Sequence, residues 1–333
     1  MARAAPPADD DRRQSVTAGH HRAPREGAID AVGAEPAAMI DCFAPAYRSS
    51  AGCRGQTAPV LDPREGVDPD GHIRTGVHRS RVPAPYERVL ASLTNALAGA
   101  SRPVPVSLYL YGSVATGTAR IPASDVDAIT VGLSGTEAES LSEQLSEQFT
   151  NLCRAVEIGA AQPEHYTGEG DAAYGTRAFL RHYCVHLTGP DVTAGWPAFP
   201  ADARAARGFN GDLGEHHRRW ISDLSAIDGG DYDDGGLTEV ATQALARRMA
   251  RKTLLAVAGL VSVRDRTWTT DRVSAAQRLA QHHPPMTAGL MQLSAWSGLV
   301  RSVHRNDIRH ALDQGGTVHR VMTAFGEEIG MWG

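Results

Sequence analysis

The stretch YLYGSVATGTARIPASDVDAITV, residues 109–131, decides how this chain is read. It closes the run VPVSLYLYG (104–112), whose β-branched and aromatic residues predict a strand ended by Gly112. After a Gly-Ser turn and the Ile121-Pro122 break, SDVDAITVGL (124–133) predicts a second strand. Side chains alternate along a strand, so Asp125 and Asp127 share one face while Val126 points to the core. Their Cα atoms lie about 6.5–7 Å apart. Two carboxylates so placed repel each other unless a cation joins them, and magnesium, a hard ion that prefers oxygen, suits the pair.

The half upstream of the acids supplies the complement. Gly112 and Ser113 end a strand, and SVATGTA can open a short helix whose unpaired N–H groups face an anion. Glycine lets a phosphate approach the backbone, and the Ser113 hydroxyl adds a donor. An anion cradle beside a cation site is what a nucleoside triphosphate bound with magnesium requires.

Working outward, APYERVLASLTNALAGA carries Tyr86, Val89, Leu90, Leu93 and Leu97 at helical spacing. GTEAESLSEQLSEQFTNLC (135–153) predicts a helix, with Thr136 and Glu139 at capping-box spacing and Leu141, Leu145, Phe149 and Leu152 on one stripe. RAVEIGA (154–160) predicts a third strand, and HYCVHLTGPDV (182–192) a last one closing on Gly-Pro. GWPAFPADARAARG (195–208) reads as a linker. Beyond it, helices are predicted at roughly 212–227, 238–262, 272–283, 286–304 and 316–331. Residues 1–80 show no periodicity and are rich in Ala, Pro, Gly, Arg and Asp, which predicts a disordered extension.

Gly112-Ser113, Gly117 and Ser124-Asp125-Val126-Asp127 together resemble the signature of the DNA polymerase β-like nucleotidyltransferases, in which a GS turn precedes a DxD strand by about ten residues. The resemblance covers residues 84–195. It implies an α+β nucleotidyltransferase domain over 81–198, a mixed sheet with flanking helices, followed by an α-helical bundle domain over 205–333. It also implies a third carboxylate on a later strand, for which Glu157 in AVEIG is the best match; the competing reading is an exposed glutamate on an edge strand. In layout, residues 246–285 are similar to the second domain of aminoglycoside adenylyltransferases of the streptomycin and spectinomycin type. There Arg248, Arg251 and Lys252, spaced i, i+3, i+4, could reach the β and γ phosphates, or could form a solvated basic face. Thr270-Asp271-Arg272 stands where that family has a lysine, which leaves Arg272 as the candidate contact. Gly112, Ser113 and Ser124 complete the expected nucleotide-binding set; Asp125, Asp127 and Glu157 form the expected catalytic and metal set, holding one or two Mg²⁺ ions.

The expected activity is therefore transfer of a nucleoside monophosphate, AMP from ATP, to a hydroxyl of a small molecule. The alternative is a nucleotide-binding regulatory or antitoxin-like module acting on a protein partner; a helical domain with room for an acceptor cleft favours the enzyme. The balance of 33 basic and 38 acidic residues, net −5, argues against nucleic acid as substrate. The four cysteines follow no CxxC spacing, which supports neither a disulfide framework nor a zinc site. The longest apolar run of the C-terminal half, LLAVAGLV (254–261), is too short to span a bilayer, and MARAAPPADDDRR lacks the features of a signal peptide, so a cytoplasmic protein is expected. Adjacent histidines 216–217 and 282–283 face apart on a helix and read as structural or exposed, DYDD (231–234) as a polar loop, and Trp268 and Trp296 as core. Lys252 is the one lysine of the chain.

Overall fold

A computed structural model describes residues 64–98, 105–229, 235–298 and 302–332. The two strands of the opening stretch, β3 (Ser107–Tyr111) and β4 (Val126–Val131), pair antiparallel, with Tyr111 opposite Asp127. Short strands β1 (Gly66–Val67) and β2 (Ile73–Arg74) precede them as a hairpin. The helix α1 (Glu87–Ala98) follows that hairpin, and α2 (Gly112–Thr116) is the single turn after β3. Beyond β4 come α3 (Gly135–Gln148), β5 (Val156–Ala161), α4 (Glu164–Thr167), α5 (Asp171–Tyr183) and β6 (Val185–Thr188). The main sheet runs β5-β4-β3-β6, with β4 and β5 parallel and the other pairs antiparallel. This is an α+β arrangement with a mixed four-stranded sheet.

Alternation divides the sheet's two faces. Leu108, Leu110, Val126, Ala128, Val156 and Ile158 are buried with Leu90, Leu93 and Leu145 of α1 and α3. Tyr109, Tyr111, Ile129 and Val131 lie in a second cluster with Tyr174, Phe179 and Tyr183 of α5. That second cluster continues into Phe209, Leu255 and Trp268, so the sheet and the helical region share a core.

The helical region comprises α6 (Ala203–Asn210), α7 (Leu213–Asp228), α8 (Gly235–Arg264), α9 (Arg272–His282), α10 (Thr287–Trp296), α11 (Arg305–Leu312) and α12 (Thr317–Glu328). The 30-residue α8 is its centre: Leu245, Met249, Leu254, Val257, Leu260 and Val261 are all buried, and its stretch 252–261 is buried on every side. LLAVAGLV is thus a core segment, and among the described residues no helix is long and apolar enough to cross a membrane.

Several sequence expectations need correction. The capping box of α3 is Ser134 with Glu137, two residues before the predicted pair, because Ser134 and not Thr136 takes the extended cap conformation. HYCVHLTGPDV starts inside α5, which the sequence reading missed; its small residues hide the helical stripe, and Gly175 touches Gly208 so closely that a Cβ there would meet a backbone carbonyl at 2.2 Å. The predicted linker contains α6, started by Asp202 accepting from the Ala205 N–H at 2.8 Å. The helix predicted at 286–304 ends at Trp296, and α11 was not anticipated.

The greatest departure concerns residues 64–80, expected to be disordered. Ile73 N–H donates to Phe199 O at 2.9 Å, His78 N–H to Ala115 O at 3.1 Å, and Arg64 Nη1 to Thr116 O at 2.9 Å. The Glu65 carboxylate accepts from the Thr269 hydroxyl and from both the hydroxyl and N–H of Thr270. Order here comes from hydrogen bonds to distant backbone and hydroxyl groups, which leave no hydrophobic period in the sequence. The rest of the predicted extension, 1–63, and the DYDD segment lie outside the described residues.

Candidate active site at the heads of strands β4 and β5

Asp125 directly precedes β4, Asp127 is its second residue, and Glu157 is the second residue of the parallel neighbour β5, in register with Asp127. One carboxylate oxygen from each comes together within 4.8 Å of the others. The backbone fixes this: Val126 N–H donates to Ala155 O at 3.0 Å and Arg154 N–H to Ser124 O at 3.1 Å, locking the two strand starts together. The expectation that Asp125 and Asp127 converge is met, and Glu157 joins them.

Burial is graded across the cluster. Asp127 is 7% exposed, Asp125 intermediate and Glu157 exposed. No described residue donates a hydrogen bond to the Asp127 carboxylate. Burial, then the charges of Glu157 and Asp125, push its carboxyl well above the usual carboxylate range, while Arg154 pulls it back. A buried acid facing two others with no donor is costly unless a cation completes it.

Gly112 adjoins the same carboxylate. Its φ is +70°, and a Cβ there would stand 2.2 Å from Asp127 Oδ2. Glycine is required at this turn because the acid occupies the place of a side chain, a reason the sequence did not reveal. Ser113 is buried, and its carbonyl accepts from the N–H groups of Thr118 and Ala119. Ser124 closes the intervening loop: its hydroxyl accepts from Arg120 N–H at 2.8 Å.

Arg154 was not anticipated. Its guanidinium grips Asp125 with both arms, Nε at 2.9 Å from Oδ1 and Nη2 on Oδ2. Its hydrogen bonds to Asp125 raise the guanidinium's own pKa. An arginine three residues before Glu157 is the only sequence trace of it. Nearby Cys153 is buried and its thiol is pushed up to about 11 by burial and by Asp125, which leaves it unreactive.

The basic residues expected at the phosphates lie on α8 and at the start of α9. Lys252 is fully buried, its Nζ 2.8 Å from Asp212 Oδ1 and 3.2 Å from Phe209 O, so its charge is committed to the helical core. Asp212 in turn meets His216 Nε2 at 3.0 Å. Arg248 faces Asp223 of α7 at 3.4 Å, and Arg251 Nε donates to Ser297 O at 3.1 Å. Arg272, 7% exposed, is buried at the start of α9. Helical spacing puts the three α8 residues side by side, and their side chains go to different partners, Asp223, Ser297 and Asp212. The paired histidines are structural as expected, His217 bonding Leu312 O and His282 facing Asp265. Trp268 and Trp296 are core.

A second group, Asp68, Asp70 and His72, lies in the β1–β2 hairpin. There Asp68 Oδ1 accepts the N–H groups of Asp70 and His72, which accounts for it as a turn. Comparison of the chain with protein-family models and with curated proteins gave no match.

Proposed function

We propose that this protein is a nucleotidyltransferase that moves AMP from ATP to a hydroxyl of a small molecule, of the aminoglycoside type. The observation that carries the reading is the convergence of Asp125, Asp127 and Glu157 beside the Gly112-Ser113 turn. Three hard oxygen ligands, one of them a buried carboxylate with no donor, fit a magnesium centre. Asp125, Asp127 and Glu157 would hold the ion, which when bound neutralises charge on the triphosphate oxygens.

The remaining work falls to the chain itself. Gly112 and Ser113 hold the polyphosphate by backbone N–H and hydroxyl, orienting the α-phosphorus for in-line attack. Glu157, the exposed acid of the cluster, takes the proton of the acceptor hydroxyl as its oxygen bonds to the α-phosphorus and the bond to pyrophosphate breaks. A helical region with its own core supports an enzyme with an acceptor cleft over a regulatory module, and the absence of surplus basic charge speaks against nucleic acid.

The test is incubation of purified protein with Mg²⁺, α-labelled ATP and a panel of aminocyclitol antibiotics. A labelled, adenylylated acceptor with stoichiometric pyrophosphate is expected. Nucleotide binding without transfer to any acceptor would replace this reading with the regulatory one.

A further inference from the structure

The ion pair inside the acid cluster points to a role beyond catalysis proper, resting on the metal-centre reading above. Both oxygens of Asp125 are engaged by the Arg154 fork. A carboxylate held this way has one lone pair of each oxygen committed to an N–H group, and the guanidinium's charge competes with a metal for the rest. The Arg154 side chain is 57% exposed while that of Asp125 is only 14% exposed, so the pair is anchored at the acid end and loose at the cationic end. The solvent-facing guanidinium can be displaced by a divalent ion facing three carboxylates, which offers Asp125 a higher charge at the same place. The Arg154 backbone, by contrast, is fixed through its N–H to Ser124 O, so the guanidinium can swing away without disturbing either strand.

We propose that Arg154 is a placeholder cation: it occupies the metal's position on Asp125, keeps the acids together when no metal is bound, and thereby sets the metal affinity. Ion pair and metal compete for Asp125. Arg154 is a positioning residue in this scheme, acting through Asp125.

Titration of the full-length protein with Mn²⁺ alone, by calorimetry and by loss of the free-ion paramagnetic resonance signal, tests this. For Arg154→Met the Mn²⁺ dissociation constant falls about fivefold. Arg154→Lys keeps the charge but not the fork, and its constant also falls, by about twofold or more. Metal-free Arg154→Met melts below wild type and gains more from added Mn²⁺. An unchanged constant in both variants overturns the proposal, as does tightening in Arg154→Met alone, which would make Arg154 a mere background charge. If Asp127→Asn loses Mn²⁺ binding while the Arg154 variants match wild type, the metal centre stands and the placeholder falls. Absence of Mn²⁺ binding in wild type and all variants overturns both.

Discussion

Two buried aspartates in this molecule have opposite fates. Asp127, at the head of β4, faces two other acids and draws no hydrogen bond, and its carboxyl is pushed up. Asp212, between α6 and α7, is equally buried; burial alone would push it up as well, but the hydrogen bond from His216 and the charge of Lys252 hold it below the usual range. Same residue type, similar depth, opposite sign. At Asp212 the helical region supplies a cation from its own side chains, whereas at Asp127 the neighbouring carboxylates add like charge. The raised carboxyl of Asp127 is what the proposed metal centre rests on, while Asp212 joins α6, α7 and α8.

The largest expected effect separates these roles by activity. Asp127→Asn lowers adenylyl transfer by roughly 10⁴-fold, about 5 kcal/mol of barrier, in steady-state assays, and Asp125→Asn acts alike. Wild-type turnover in either variant removes the site. Lys252→Met strikes the other aspartate: it leaves a buried carboxylate with His216 as its remaining partner and costs about 3–4 kcal/mol in urea unfolding. Adding Asp212→Leu to it should recover part of that loss. A double variant no better than the single would show that the pair is not what sets the cost.

His182 offers a third case, in the last turn of α5. Its Nε2 accepts the Phe199 N–H at 2.8 Å, and burial, then Arg181 and His72, lower its pKa from 6.5 to about 4. The unfolded chain takes up a proton near 6.5 before the folded one does, so stability is complete above pH 6.5 and is lost as pH falls towards 4. The loss is roughly 2–3 kcal/mol, and His182→Gln, which keeps an acceptor, flattens it in a pH series of unfolding curves. The smallest effect sharpens the comparison most. Because the folded pKa of Asp127 is raised, its ionisation costs stability above the unfolded pKa, so metal-free Asp127→Asn melts about 2–4 °C higher than wild type at pH 8. The corresponding Asp212→Asn melts lower. Shifts of the same sign in both would erase the contrast.

The fold was legible where it was periodic. Strands β3, β4 and β5, helices α1 and α3, and most of the helical region follow from alternation and helical stripes, and the acid cluster follows from two aspartates on one face. What escaped was written in contacts. Helices α5 and α6 meet through Gly175 and Gly208, residues that read as breaks. Lys252 looked like a phosphate ligand because spacing shows which residues neighbour it on the helix but not that Asp212 waits in the core. Arg154 had no motif to announce it, since its partner stands 29 residues upstream.

The segment that composition would discard also has a practical bearing. Residues 64–78 bind the carbonyls of Ala115 and Thr116 at the far end of the turn that begins with Gly112, and Glu65 ties the same segment to Thr269 and Thr270. Anyone trimming the gene to begin at codon 81 would keep every acid of the cluster yet cut away the brace behind the glycine that touches Asp127. Expression boundaries for this protein belong upstream of Arg64.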